Sequence, residues 1–184
     1  STLRELGAKE IGLIAPYLAY MRQDKQFNPG EGITSKYFSA FLCKHVDWLI
    51  TIDPHLHRFH ELSEIYTIPT TVLHAKDAIA QWIKHNIKRP ILIGPDQESY
   101  QWVSHLAESI EAPFIVLEKQ RKGDRNVEVS FPSIAAYKDH IPVLIDDIIS
   151  TARTMIEATK QLKKINPQSP VCVGVHGIFA GDAY

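Results

Sequence analysis

The sequence predicts an α/β protein with mainly parallel sheets, and three observations carry that expectation. Short apolar runs recur along the 184 residues, and several are continuous rather than alternating, as in strands covered on both faces. Segments with helical spacing lie between many of these runs. Polar clusters follow the runs at 52–57, 93–99 and 145–154, and open α/β sheets bind ligands beyond the carboxyl ends of their strands.

The elements follow in order. STLRELGA (1–8) reads as the last turns of a helix closed by Gly7. IGLIAPYL (11–18) and VDWLITI (46–52) are strands, with a helix over 33–44 between them. A unit boundary is expected near Thr70 to Leu73, after IYTIPTT, dividing the chain into 1–71 and 72–184. The second unit reads as a helix over 75–87, the strand ILIGP (91–95) and a helix over 98–110. That helix carries Trp102, Leu106 and Ile110 at i, i+4 and i+8. FIVLE (114–118) and VEVSF (127–131) flank a charged, Gly-containing segment and read as a long hairpin or flap. VLIDD (143–147) is a buried strand ending in two acids, followed by a helix over 154–165 and the strand VCVGVHGIF (171–179). The chain opens inside a helix and stops directly after a strand, so it is expected to be a fragment whose first unit is incomplete.

Composition excludes several classes. Hydrophobic residues are 45% and charged residues 22%, the balance of a soluble globular chain. A net charge of -1 gives no electrostatic footprint for nucleic acid. No apolar run has the length of a membrane span, so no membrane partner is expected. Cys43 and Cys172 lie in separate apolar segments and read as buried thiols, which fits a reducing cytoplasm.

The segment VLIDDIISTARTM (143–155) carries the most chemistry. A strand, a tight loop of small and hydroxylic residues and a helix N-terminus make a cradle for an anion. Ser150, Thr151 and Thr154 add hydroxyls, and Arg153 adds a fork suited to phosphate. Asp146 and Asp147 would repel a phosphate, so they serve sugar hydroxyls or a divalent cation. The ligand suggested is a phosphorylated sugar; the bland alternative is a helix cap after two exposed acids. Lys119 and Arg121 stand two apart on a strand and share a face, able to close over a phosphate chain, unless the segment is a solvated charged hairpin. His55 and His57 share a side if extended; one can ligate or hydrogen-bond near a metal, and the other is a surface residue. Arg22 and Gln23 can grip phosphate and ring edges. Tyr17, Tyr20, Trp48 and Trp102 are read as packing residues, and His45, His60 and His105 as structural or exposed.

DDIISTART (146–154) resembles the phosphoribosyl-diphosphate loop of type I phosphoribosyltransferase folds. PYLAYMRQDKQF (16–27), TIDPHLH (51–57), GPDQES (94–99), LEKQRKGDRNVEV (117–129) and VHGIFAGDA (175–183) resemble, in the same order, elements of the ribose-phosphate diphosphokinase family. The resemblance implies two phosphoribosyltransferase-like (type I) α/β units, and an enzyme of nucleotide biosynthesis that uses ATP, ribose 5-phosphate and Mg²⁺. It implies that Arg22, Gln23, Asp24 and His55 bind ATP and that Lys119 and Arg121 are catalytic. Asp96, Asp146, Asp147, Ser150, Thr151, Ala152, Arg153 and Thr154 would bind ribose 5-phosphate, with His55 and Asp96 at the metal. It also implies a homo-oligomer at full length and an inactive fragment. Two departures stand out: Ala152-Arg153 replaces the family's glycines in the phosphate loop, and Gln97-Glu98-Ser99 follows the Pro-Asp element. The alternatives are a phosphoribosyltransferase acting on a nucleobase and a non-catalytic synthetase-like regulatory subunit.

Overall fold

The computed structural model describes residues 1–122, 126–130 and 134–183, with the side chains of 98, 118–122, 126–130 and 135 outside that description. The chain divides into two compact units, Ser1–Ala75 and Lys76–Tyr184. Both are α/β with parallel sheets, as the sequence predicts.

The first unit contains the short helix α1 (Thr2–Glu5), β1 (Gly12–Ala15), α2 (Thr34–Cys43), β2 (Trp48–Ile52) and β3 (Thr70–Leu73). The strands form a parallel sheet in the order β1-β2-β3. Leu13, Leu49 and Val72 face Leu42 and Phe38 of α2 and join Leu18, Met21, Leu62 and Tyr66 in one core. Alternate residues on β1 and β3, Ile14 and Leu73, are exposed. The residues near which the boundary is expected, Thr70 to Leu73, form β3 close to the end of the first unit: the short run TTVL lies between Pro69 and the polar His74, and its pairing with β2 makes it regular.

The second unit contains α3 (Lys76–Asn86), β4 (Pro90–Gly94), α4 (Tyr100–Ile110), β5 (Phe114–Val116), β6 (Glu118–Lys122), β7 (Asn126–Ser130), β8 (Ile141–Ile149), α5 (Arg153–Ile165) and β9 (Val171–Gly177). Its sheet order is β5-β4-β8-β9, all parallel. The continuous apolar runs of β4 and β8 are explained by two cores, one on each face. Leu92, Val143 and Ile145 pack under α3 and α4 with Ile83, Val103 and Leu106. Ile93 and Leu144 point the other way, to Ala158 and Leu162 of α5. Each of these large side chains is fully buried, so truncating one to alanine costs about 2–5 kcal/mol. Gly94 lets α4 approach the end of β4, since a Cβ there would lie 2.3 Å from Ser99 Oγ.

Two strand expectations need correction. FIVLE is not one strand: it breaks at Leu117, whose buried side chain turns into the core, and Glu118 begins the antiparallel β6–β7 hairpin. Asp146 and Asp147 do not end their strand; β8 continues through them to Ile149 because β9 pairs with it as far as Gly177. Cys172 is also exposed rather than buried, since β9 is the last strand of the sheet order; Cys43 is half-buried, and both are free thiols. Among the described residues no helix is long and apolar enough to cross a membrane.

Candidate functional site

In the second unit the segment expected to cradle an anion follows the end of β8. Ser150 and Thr151 form the turn, Ala152 takes a left-handed conformation with φ 55, and α5 begins at Arg153. Among the described residues no side-chain cap hydrogen bond is made at this helix start, and its first turn contains no acid. A helix N-terminus of this kind has N–H groups and a positive dipole end that favour an anion. Arg153, at the first helical position, carries the sign the dipole disfavours, which a bound anion would reverse.

A second segment holds the cradle in place. After β9 the chain doubles back, and the N–H groups of Ile178 and Phe179 donate to the Ile149 carbonyl at 2.9 and 3.2 Å. Ala180 N–H donates to the Ser150 carbonyl at 3.0 Å. Phe179 is itself left-handed (φ 48), and its ring covers Gly177, where a Cβ would lie 2.6 Å from the ring. The segment VHGIFAGDA (175–183) thus backs the turn between β8 and α5.

Asp146 sits among like charges. Burial, then the neighbouring Asp147 carboxylate, then Asp96, push its carboxyl up to about 7. The Asp147 N–H donates to Asp146 Oδ1 at 3.0 Å and offsets only part of this. Asp96 follows β4, the strand next to β8, and its carbonyl accepts from Ser99 N–H at the start of a 3₁₀ turn leading into α4. Asp96, Asp146 and Asp147 are thus brought into one neighbourhood within the second unit.

The first unit holds the other predicted residues. Arg22 is exposed and Gln23 half-buried. The Gln23 carbonyl accepts from both the N–H and the hydroxyl of Ser35, at 3.2 and 3.0 Å. Asp24 is placed differently from a ligand group: its carboxylate is 1% exposed and paired with Arg58. His55 and His57 stand edge to face, ring centroids 4.1 Å apart. Their loop is set by Asp53, which has φ 37. The Asp53 carboxylate meets His74 Nδ1 at 2.7 Å and accepts from the Ala75 N–H at 2.9 Å. Sequence reasoning missed Asp53, His74 and Arg58. An acid just before Pro54 at a strand end was a signal for Asp53, but Arg58 lies 34 residues from its partner and carries no local one. The side chains of Lys119 and Arg121 lie outside the described residues; their backbones pair with Val129 and Val127 in the hairpin.

A family model described as the phosphoribosyl transferase domain matches residues 61–183, more than half of the chain. The chain belongs to the phosphoribosyl transferase domain family. A second family model, the N-terminal domain of ribose phosphate pyrophosphokinase, matches residues 1–45. The chain is 34% identical over 184 residues to a ribose-phosphate pyrophosphokinase of Saccharolobus solfataricus, covering 99% of this chain and 62% of that protein. It is 30% identical over 197 residues to a protein of the same name from Methanobrevibacter smithii, covering 100% of this chain and 64% of that one. The chain therefore spans a little under two thirds of the length of these relatives. Its fold is like that of a phosphoribosylpyrophosphate synthetase from Mycobacterium smegmatis, with a TM-score of 0.83 at 22% identity, over 99% of this chain and 59% of that one. For this member of the phosphoribosyl transferase domain family, the α/β fold and the resemblance read from the motifs are both borne out.

Proposed function

We propose that the full-length protein transfers the diphosphoryl group of MgATP to the C1 hydroxyl of ribose 5-phosphate. The products are 5-phosphoribosyl 1-diphosphate and AMP. The observation that carries this reading is the N-terminus of α5, with no side-chain cap hydrogen bond and no acid in its first turn, a short turn after the half-buried pair Asp146–Asp147. That arrangement suits a ligand with a phosphate at one end and hydroxyls at the other. The likeness, along all of this chain, to nearly two thirds of proteins named ribose-phosphate pyrophosphokinase supports a donor and acceptor of this kind.

In this reading Ser150, Thr151, Ala152, Arg153 and Thr154 hold the 5-phosphate, and Asp146 and Asp147 accept from the ribose hydroxyls. Arg22, Gln23 and His55 grip ATP. Lys119 and Arg121 stabilise charge on the transferring group, because phosphoryl transfer needs positioning and electrostatics more than covalent help. The C1 oxygen forms a bond to the β-phosphorus and gives up its hydroxyl proton to solvent, as the bond from that phosphorus to the bridging α,β-oxygen breaks and leaves AMP. Asp96, with His55 nearby in role, is assigned to Mg²⁺, which when bound would neutralise charge on the phosphate chain. A homo-oligomer in the cytoplasm completes the proposal.

The test is to supply ATP and ribose 5-phosphate to the full-length protein and look for AMP. Formation of AMP only with ribose 5-phosphate supports the reading. Turnover of a nucleobase with 5-phosphoribosyl 1-diphosphate, and none with ATP, replaces it with a phosphoribosyltransferase. Binding of nucleotide without turnover replaces it with a regulatory subunit.

A further inference from the structure

Asp24 ends the segment that carries Arg22 and Gln23, yet its carboxylate is almost wholly out of water. A buried carboxylate needs a partner. Arg58 supplies it from a different stretch of chain, with Nη1 at 3.1 Å from both Asp24 oxygens. The guanidinium side remains 40% exposed, so the cation keeps part of its hydration while the anion gives up nearly all. Arg58 directly follows His57. The contact therefore ties the segment of Arg22 and Gln23 to the segment of His55 and His57. Lys36 of α2 adds a weaker tie, its Nζ 5.9 Å over the ring of Phe59.

Each segment is anchored at its other side as well. The first is held by Ser35 on the Gln23 carbonyl. The second is held at Asp53 by His74 and the Ala75 N–H. The Asp24–Arg58 pair thus joins two loops that are otherwise fixed to separate supports.

We propose that Arg58 is a positioning residue for the nucleotide. It does not touch ATP; it sets the spacing between Arg22-Gln23 and His55 by holding Asp24. This rests on the reading of those residues as ATP ligands. Without Arg58 the buried carboxylate has no counter-charge and turns toward water, carrying the Arg22–Gln23 backbone with it.

The experiment is steady-state kinetics of the full-length protein with Arg58→Met, Arg58→Lys, Asp24→Asn and the double change Asp24→Asn/Arg58→Met. Arg58→Met is expected to raise KM for ATP about tenfold, within the range for coupled neighbours, and to leave KM for ribose 5-phosphate unchanged. Arg58→Lys keeps the charge and should recover most of the loss, even if the methionine variant folds poorly. The double variant should be less impaired than the product of the two single effects. Equal rises in both KM values, a fall in kcat alone, or independent effects in the double variant would overturn the proposal. An unmutated protein that neither binds ATP nor forms AMP removes the functional reading, and the proposal with it.

Discussion

Asp147 donates its backbone N–H to the Asp146 carboxylate at 3.0 Å, yet this does not keep Asp146 in the usual carboxylate range. Burial is the larger effect, and the Asp147 and Asp96 charges add to it. Asp146 is raised from 3.8 to about 7, so the folded state holds its proton more tightly than the unfolded chain does. The stability this gives is complete below about pH 4 and is lost as pH rises through about 7. Charging the group in the folded state costs on the order of 4 kcal/mol. Asp146→Asn should therefore raise Tm at pH 8 while changing it little at pH 4. Thermal melts of the protein without ligand at the two pH values check this, and an equal shift at both contradicts it.

Ala152 occupies the left-handed region that glycine adopts freely. A Cβ in that region costs roughly 1–2 kcal/mol, partly offset by the lower unfolded-state entropy of alanine. Ala152→Gly is thus expected to stabilise the protein by about 0.5–1 kcal/mol. Chemical denaturation measures this directly. A loss of stability would mean that the Ala152 methyl makes contacts worth more than the strain; it lines a pocket of about 320 Å³ with Ile149, Met155 and Phe179.

Arg153 separates a ligand site from an ordinary helix start. As the first residue of α5 it opposes the helix dipole, and a carboxylate there would favour it by about 0.3–1 kcal/mol. Arg153→Glu should leave the unliganded protein as stable as before or slightly more so. The same change should weaken ribose 5-phosphate by about tenfold or more, the loss of a charge-assisted contact, with ATP binding unaffected. Calorimetric titration of both ligands reads the split. Equal weakening of both would show that the loop does not hold the sugar phosphate.

The sequence made β4, β8 and α5 legible because each has a strong local pattern: continuous apolar runs for the strands and a 3.6-residue stripe for the helix. The turn between β8 and α5 was legible for the same reason, as small and hydroxylic residues between a strand and a helix. β3 was not, because four residues beside a proline carry too little pattern and only the pairing with β2 defines them. Extension of β8 past Asp147 was hidden because two acids look like a strand end; pairing of Ile148 with His176 overrides that local signal. Asp24 looked like a ligand within its motif, and its burial depends on Arg58, a contact no local pattern encodes. The left-handed turn at Ala152 was equally hidden, since alanine does not advertise such a conformation.

The central claim concerns which bond of ATP breaks. Full-length protein is incubated with ribose 5-phosphate, Mg²⁺ and ATP labelled at the β-phosphate, and the products are separated. Transfer of the diphosphoryl group gives AMP without label, formed in equal amount with a sugar diphosphate that carries all of it. Label retained in ADP, with only the γ-phosphate moved to the sugar, would contradict the account.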